Sequence, residues 1–207
     1  MKHLIQTAIF LGAVCTASAQ GTFEAIQNYV PGQAAATIFG TGGWTFQPTV
    51  NVTVTDLGCT ANAVADNGPT AVDIGLWNSA GVLLSSTPIQ STNVLINQTY
   101  YQSVTPVILT AGQTYHIGAY SPLGSILLNL IVQNVDGSVT MAPQIQLGFA
   151  ASADGGFASP TTPQGPNNSM FLGPNFRFFQ SIPEPSSLAL LTIGSLALLL
   201  RRRSLAS

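Results

Sequence analysis

Positive charge is almost missing from this chain. Its 207 residues hold five Lys and Arg against seven Asp and Glu, and charged residues make up 6% of the sequence. Four of the five bases, Lys2, Arg201, Arg202 and Arg203, stand at the two ends, leaving Arg177 alone between them. Residues 20–181 therefore carry one base against Glu24, Asp56, Asp66, Asp73, Asp136 and Asp154, a net charge of 1 − 6 = −5. A segment with one arginine and no lysine has no electrostatic footprint for a phosphate backbone, which excludes nucleic-acid binding.

Cysteine and histidine are equally scarce. Cys15 lies within residues 1–19, which read as a removable leader, so Cys59 has no partner for an internal disulfide once they are lost. Its expected role is that of a buried small hydrophobe, with an intermolecular bridge as the alternative in an oxidising compartment. With one cysteine and one histidine, Cys59 and His116, in residues 20–181, a zinc site is not expected. No cofactor is expected either. Calcium is the one ion left open, through oxygens of Asp66, Asn67 and loop carbonyls, although no EF-hand spacing is present.

The N-terminus carries Lys2 and His3, an apolar stretch from Leu4 to Val14, and then Ala17-Ser18-Ala19. These features read as a secretory signal peptide over residues 1–19, cleaved between Ala19 and Gln20, with the Sec translocon as the export partner. Val14 stands where a lipobox requires a small residue, so Cys15 is not read as a lipidation site.

The C-terminus has three parts in order: Pro183-Glu184-Pro185, an apolar run over residues 188–200, and Arg201-Arg202-Arg203. Two prolines one residue apart remove two backbone donors and bias their neighbours toward extended conformations, leaving a segment that a processing enzyme can grip. The apolar run is shorter than the ~20 residues that usually span a bilayer. Flanking serines can lengthen it and arginines can snorkel. The arginine cluster holds the C-terminus in the cytoplasm by the positive-inside rule. Together, residues 182–207 resemble the PEP-CTERM sorting signal of Gram-negative bacteria. The resemblance implies an exosortase as processing partner and transient anchoring in the cytoplasmic membrane, followed by display at the cell surface or release. It also implies a setting of exopolysaccharide and biofilm. An ordinary C-terminal anchor that carries Pro-Glu-Pro by chance is the alternative.

Residues 20–181 remain as one domain, rich in Thr, Asn, Gln, Ser, Gly and Val, a composition that favours strands and turns. Val50, Val52 and Val54 alternate with polar residues, as do Val72, Ile74 and Leu76. Asn78-Ser79-Ala80-Gly81 predicts a hairpin between 71–77 and 82–87. Further strands are predicted at 99–109, 114–120, 125–133, 143–149 and 174–180. Ala111-Gly112-Gln113 should join the first two of these in a tight turn. Residues 150–168 read as a long loop, and 174–180 as a closing strand that covers the core with Phe176 and Phe178. No internal repeat is visible, so the expected fold is all-β, an antiparallel β-sandwich or jelly-roll-like domain flanked by a signal peptide and a transmembrane sorting helix.

An ordered set of short motifs supports that expectation. It comprises Trp44-Thr45-Phe46, Val52 to Gly58, Val72 to Asn78, Gly81 with Leu83-Leu84, Val104 to Val107, Leu109 to Gly112, Tyr115 to Tyr120, and Gly173 to Phe176. The set resembles a family of β-sandwich domains of unknown function, common in exported bacterial proteins with PEP-CTERM tails. The likeness implies a sandwich and brings no catalytic residues.

Candidate chemistry is sparse. His116 is the one general base near neutral pH, and no Gly-x-Ser-x-Gly elbow accompanies it. The acids are scattered, several in turns such as Asp66-Asn67-Gly68 and Asp154-Gly155-Gly156, so a carboxylate pair is not expected. Asn51, Asn97 and Asn167 each open a glycosylation pattern to which a bacterial exporter gives no meaning. Trp77, Asp73 and Tyr120 are the candidate glycan contacts, since planar rings beside hydrogen-bonding groups can stack on sugars. The competing reading is that Trp44 and Trp77 plug the ends of the sandwich. The chain is thus expected to be a non-enzymatic exported protein, with a carbohydrate-binding module as the alternative and a hydrolase third.

Overall fold

A computed structural model of the chain describes residues 21–30, 35–132 and 139–180. The expected signal peptide, its expected Ala19/Gln20 cleavage point and the tail from residue 181 lie outside the described residues. Among the described residues no helix is long and apolar enough to cross a membrane.

The described residues form sixteen strands and one short helix. In chain order these are β1 (Thr22–Glu24), β2 (Ile26–Tyr29), β3 (Ala35–Ile38), β4 (Gly40–Pro48), β5 (Val52–Thr60), α1 (Ala61–Asp66), β6 (Val72–Asn78), β7 (Leu83–Ile89) and β8 (Val94–Ile96). There follow β9 (Thr99–Leu109), β10 (Tyr115–Tyr120), β11 (Ile126–Val132), β12 (Val139–Met141), β13 (Ile145–Asp154), β14 (Thr162–Asn167), β15 (Ser169–Leu172) and β16 (Pro174–Gln180). Every pairing is antiparallel.

Two large sheets make a sandwich-like core. One has the order β1-β16-β5-β9-β8, the other β14-β13-β4-β10-β6-β7. Smaller sheets, β15-β11-β3 and β12-β2, extend it. Alternation places Gly42, Trp44 and Phe46 of β4 on one inner face, and Phe176 and Phe178 of β16 on the other. Phe176 sits 6.0 Å from the Trp44 ring and 4.9 Å from Phe46, while all three are essentially inaccessible to solvent. Trp44 Nε1 also donates to the Pro174 carbonyl at 3.0 Å, so the two sheets are joined by a hydrogen bond as well as by ring contacts. Further along the same face, Gly42 leaves room for Leu128 and Ile38 of the three-stranded sheet.

The antiparallel β-rich domain agrees with the expected class, and Phe176 and Phe178 cover the core as expected. Three expectations need correction. Residues 150–168 are not one long loop: β13 runs on to Asp154 and β14 occupies Thr162–Asn167. Ala and Ser side chains conceal the end of β13, and two prolines and a glycine conceal β14, so neither shows an apolar/polar contrast in the sequence. Second, β9 and β10 do not pair. The turn after Thr110 forms, with Gln113 N donating to the Thr110 carbonyl at 3.3 Å, but it carries the chain from one sheet to the other. Tyr100 and Tyr101 of β9 therefore lie on a different sheet from Tyr115 and Tyr120 of β10. Third, Trp44 neither opens a strand nor plugs an end; it lies in the middle of β4 at the centre of the core.

Phe176→Ala should lower unfolding stability by about 3–5 kcal/mol, because the removed ring leaves a cavity between two sheets. Trp44→Phe keeps a ring but orphans the buried Pro174 carbonyl, which should cost about 1–3 kcal/mol. Urea unfolding of the two variants checks both values.

Candidate functional site

The outer face of the six-stranded sheet gathers the aromatic and titratable side chains that the sequence singled out. Register places Trp77 opposite His116, Gly75 opposite Gly118, and Asp73 opposite Tyr120, between β6 and β10. On the other side of β10, His116 faces Thr45, Gly118 faces Gly43, and Tyr120 faces Thr41 of β4. Gly75, Gly118 and Gly43 thus lie in a row across three strands. Without side chains they form a shallow trough walled by Trp77 and His116 on one side and Asp73 and Tyr120 on the other.

A loop fills that trough. Residues 155–160 cross it after β13 doubles back, with positive φ at Gly155 (81°) and Gly156 (146°) to permit the turn. Thr41 Oγ1 donates to the Gly156 carbonyl at 2.7 Å and accepts from Ala158 N at 3.0 Å. Phe157 packs at 5.2 Å from Trp77 and 6.2 Å from Tyr120. A Cβ on Gly75 would overlap the Trp77 ring, and one on Gly118 would press on Pro160 at 3.1 Å. The glycines are required here because the loop and the indole occupy their side-chain space.

The three candidate glycan contacts therefore share one face, but not as an open platform. Trp77 is 3% exposed beneath Phe157, while Asp73 and Tyr120 are half-buried at the trough's edge. Burial raises the Asp73 carboxyl above its ordinary range. Neither end of the sandwich is plugged by Trp77, which lies under the loop instead.

His116 is 7% exposed, and its Nδ1 lies 2.9 Å from Ser159 Oγ in the same loop. Burial holds its pKa below the ordinary value of 6.5, so the neutral ring is the resting form. A serine–histidine contact invites a nucleophilic reading, but among the described residues no carboxylate hydrogen-bonds this ring to orient it, as a triad requires. The arrangement instead fixes the loop to the sheet. Sequence inspection had no means of choosing Ser159 among many serines, since the pairing depends on the loop's return over β10.

A second polar cluster lies on the outer face of the five-stranded sheet. Asn97, at φ 52°, donates to Glu24 Oε1 at 2.6 Å, and Tyr101 Oη donates to Oε2 at 3.2 Å. Desolvation raises the Glu24 pKa, partly offset by those bonds and by Arg177. Asn175 is wholly buried and uses every amide atom. Its Oδ1 accepts from Ile26 N and Phe176 N, and its Nδ2 donates to the Ile26 carbonyl and Tyr101 Oη. Arg177 stands 5.7 Å above the Tyr101 ring and 3.8 Å from Asp56. These groups clamp β1, β2 and β8 onto the closing strand.

Cys59 is fully buried, and burial pushes its thiol up, away from thiolate chemistry. Among the described residues no group of three His, Cys, Asp or Glu side chains gathers as a metal site. Asp66 is exposed at the end of α1, and the Asn67 amide donates to the Ala63 carbonyl at 2.6 Å.

The polypeptide beyond this domain carries the clearest likeness to known proteins. A family model described as the PEP-CTERM protein-sorting motif matches residues 181–203, beginning directly after β16. The match takes in Pro183, Glu184, Pro185 and the Arg201, Arg202 and Arg203 cluster. That motif implies an exported protein, sorted by an exosortase after transient membrane anchoring. A search of curated proteins found no match to the chain.

The neutral His116 gives a pH test. Its folded-state pKa is depressed, so its contribution to stability is complete above about 6.5 and is lost as pH falls through the folded value. Acidification from about pH 7.5 to about pH 5 should lower the urea midpoint more in the natural chain than in His116→Gln, whose amide cannot titrate. Independently, Gly118→Val should lift the loop and open Trp77 to acrylamide quenching, at a cost of about 1–3 kcal/mol from overpacking.

Proposed function

We propose that this chain is a non-catalytic exported protein, delivered by exosortase sorting to the cell surface or extracellular matrix in a setting of exopolysaccharide and biofilm. The observation that carries the reading is the sorting motif at residues 181–203, attached without a spacer domain to a β-rich body. The signal-peptide features of residues 1–19 supply the matching export signal at the other end.

The domain's side chains support a non-catalytic role. Its histidine is packed under a loop and engaged by Ser159, and its cysteine is sealed in the core. Its single base, Arg177, is committed to Asp56 and the Tyr101 ring. Tight packing of this kind suits a protein that presents a surface rather than one that turns over a substrate.

Mass spectrometry of the C-terminal peptide from the native host tests the reading. The expected terminus lies near Pro183-Glu184-Pro185, with the apolar run and the arginines missing. In a strain without exosortase the tail should persist. An intact chain ending at Ser207 in an exosortase-bearing host would sink the sorting proposal and leave a simple anchored domain.

A further inference from the structure

A cleft of about 480 Å³ opens between β7, the edge of the six-stranded sheet, and β9 near the edge of the five-stranded sheet. It is well separated in register from the trough that residues 155–160 fill, since its floor comes from the other sheet. Its shape has a local cause. Asp56 pairs with Ser103 and Val54 with Val107, so Thr55 alone faces Val104, Thr105 and Pro106. That bulge bends β9 and turns Val104 and Thr105 into the cleft. β8 pairs only with Thr99 to Tyr101, which leaves β9 without a strand neighbour on that side from Gln102 onward among the described residues.

The lining is chemically uniform. Nine of its eleven residues carry hydroxyl or amide side chains, and none is charged. An ion would find no counter-charge there, and an apolar ligand would strip water from hydroxyls without replacing their bonds. A neutral polyhydroxyl ligand can exchange hydrogen bonds with most of them, the Ser103 hydroxyl already donating to Asp56 Oδ1 at 2.7 Å. The rim is already ordered: Asn93 Oδ1 accepts from Gln90 N at 2.7 Å, and Asn93 Nδ2 donates to Gln102 Oε1 at 2.8 Å. Gln102 Nε2 is left with the Ser103 carbonyl at 3.5 Å, the outer limit of a hydrogen bond, so a ligand hydroxyl can take that donor. The volume falls in the usual range for ligand sites, roughly 300–1,000 Å³.

An added peptide strand fits less well. Pro88 in β7 and Pro106 in β9 each lack a backbone donor, so neither edge offers an uninterrupted ladder. The domain's net charge of −5 also sets it against acidic polymers.

We propose that the cleft between β7 and β9 binds a segment of neutral polysaccharide through its Ser, Thr, Asn and Gln side chains. The idea rests on the surface reading only for the presence of glycan outside the cell. Binding is measured on the purified chain and sorting on its C-terminal peptide, so either can fail alone. No ring lines the cleft to stack on sugars, so a single site is weak, and a repeating polymer compensates by presenting many copies of its segment at high concentration.

The test is affinity electrophoresis of the full chain in a zwitterionic, sugar-free detergent, through gels containing dextran, hydroxyethyl cellulose or alginate. Retardation is expected with at least one neutral polymer and not with alginate. Gln102→Ala should weaken it by about tenfold, the loss of one good hydrogen bond. Thr105→Trp should block the cleft, and Trp77→Phe should leave retention unchanged. Gln102 and Thr105 are exposed, and thermal melts of both variants confirm the fold. The proposal is overturned by no retardation in either neutral polymer, by equal retardation in alginate, or by retention that both cleft variants leave intact. Binding of an extended Thr/Val peptide in place of the polymers would overturn it too.

Discussion

Phe176 is the residue on which the two sheets agree. Its ring packs against both Trp44 and Phe46 of the opposite layer, and the nearby Pro174 carbonyl receives the Trp44 indole hydrogen bond. That contact fixes the spacing of the layers and the direction of β16. Once β16 is in register with β5, Asn175 must be buried, because it lies in the same tightly covered stretch. A buried amide is tolerable only if all its hydrogen bonds are made. The chain satisfies it by bringing Ile26 and Tyr101 to it, which in turn docks the N-terminal strands. Much of the periphery of the five-stranded sheet follows from the single constraint that Phe176 point inward.

The outer face of the other sheet shows the reverse logic. There, side chains are missing rather than packed: Gly43, Gly118 and Gly75 leave a trough that a flat sheet of larger residues would not have. A bare row of glycines would expose backbone and weaken the strands. The loop over residues 155–160 offsets that by covering them with Phe157 and Pro160, and the Thr41 and Ser159 hydrogen bonds hold it there. A tryptophan that looks like a sugar platform in sequence thereby becomes the underside of a covered face.

Legibility in the sequence followed locality. The strands whose faces contrast, β5, β6, β9, β10 and β16, were visible through Val, Ile and Phe alternating with polar residues. The N-terminal part of β4 is not, because Gly40, Gly42 and Gly43 carry no pattern, and the end of β13 beyond Phe149 and all of β14 are hidden by small residues and prolines. The partners of β10 are not legible, because its short turn from β9 suggests a hairpin whereas its neighbours β4 and β6 are distant in sequence. Asn175 and Ser159 could not be distinguished from other polar residues, since each matters only through non-local contacts. Pro106 was the one local trace of the β9 bulge, and so of the cleft it shapes. The sorting motif was readable because its three parts are contiguous and require no folding to be recognised.

The junction between fold and tail limits where processing can occur. β16 ends at Gln180 and the motif match begins at residue 181, so the closing strand and the sorting signal adjoin. Loss of the chain from any point within β16 would remove part of the strand that carries Phe176, Asn175 and Phe178, and with it the contact that unites the sheets. Processing at Pro183-Glu184-Pro185 spares that strand entirely. Pro183 and Pro185 have no backbone donor to give to a ladder, so strand pairing could not run unbroken through that segment. A domain completed by its last strand can be separated from its anchor without being opened.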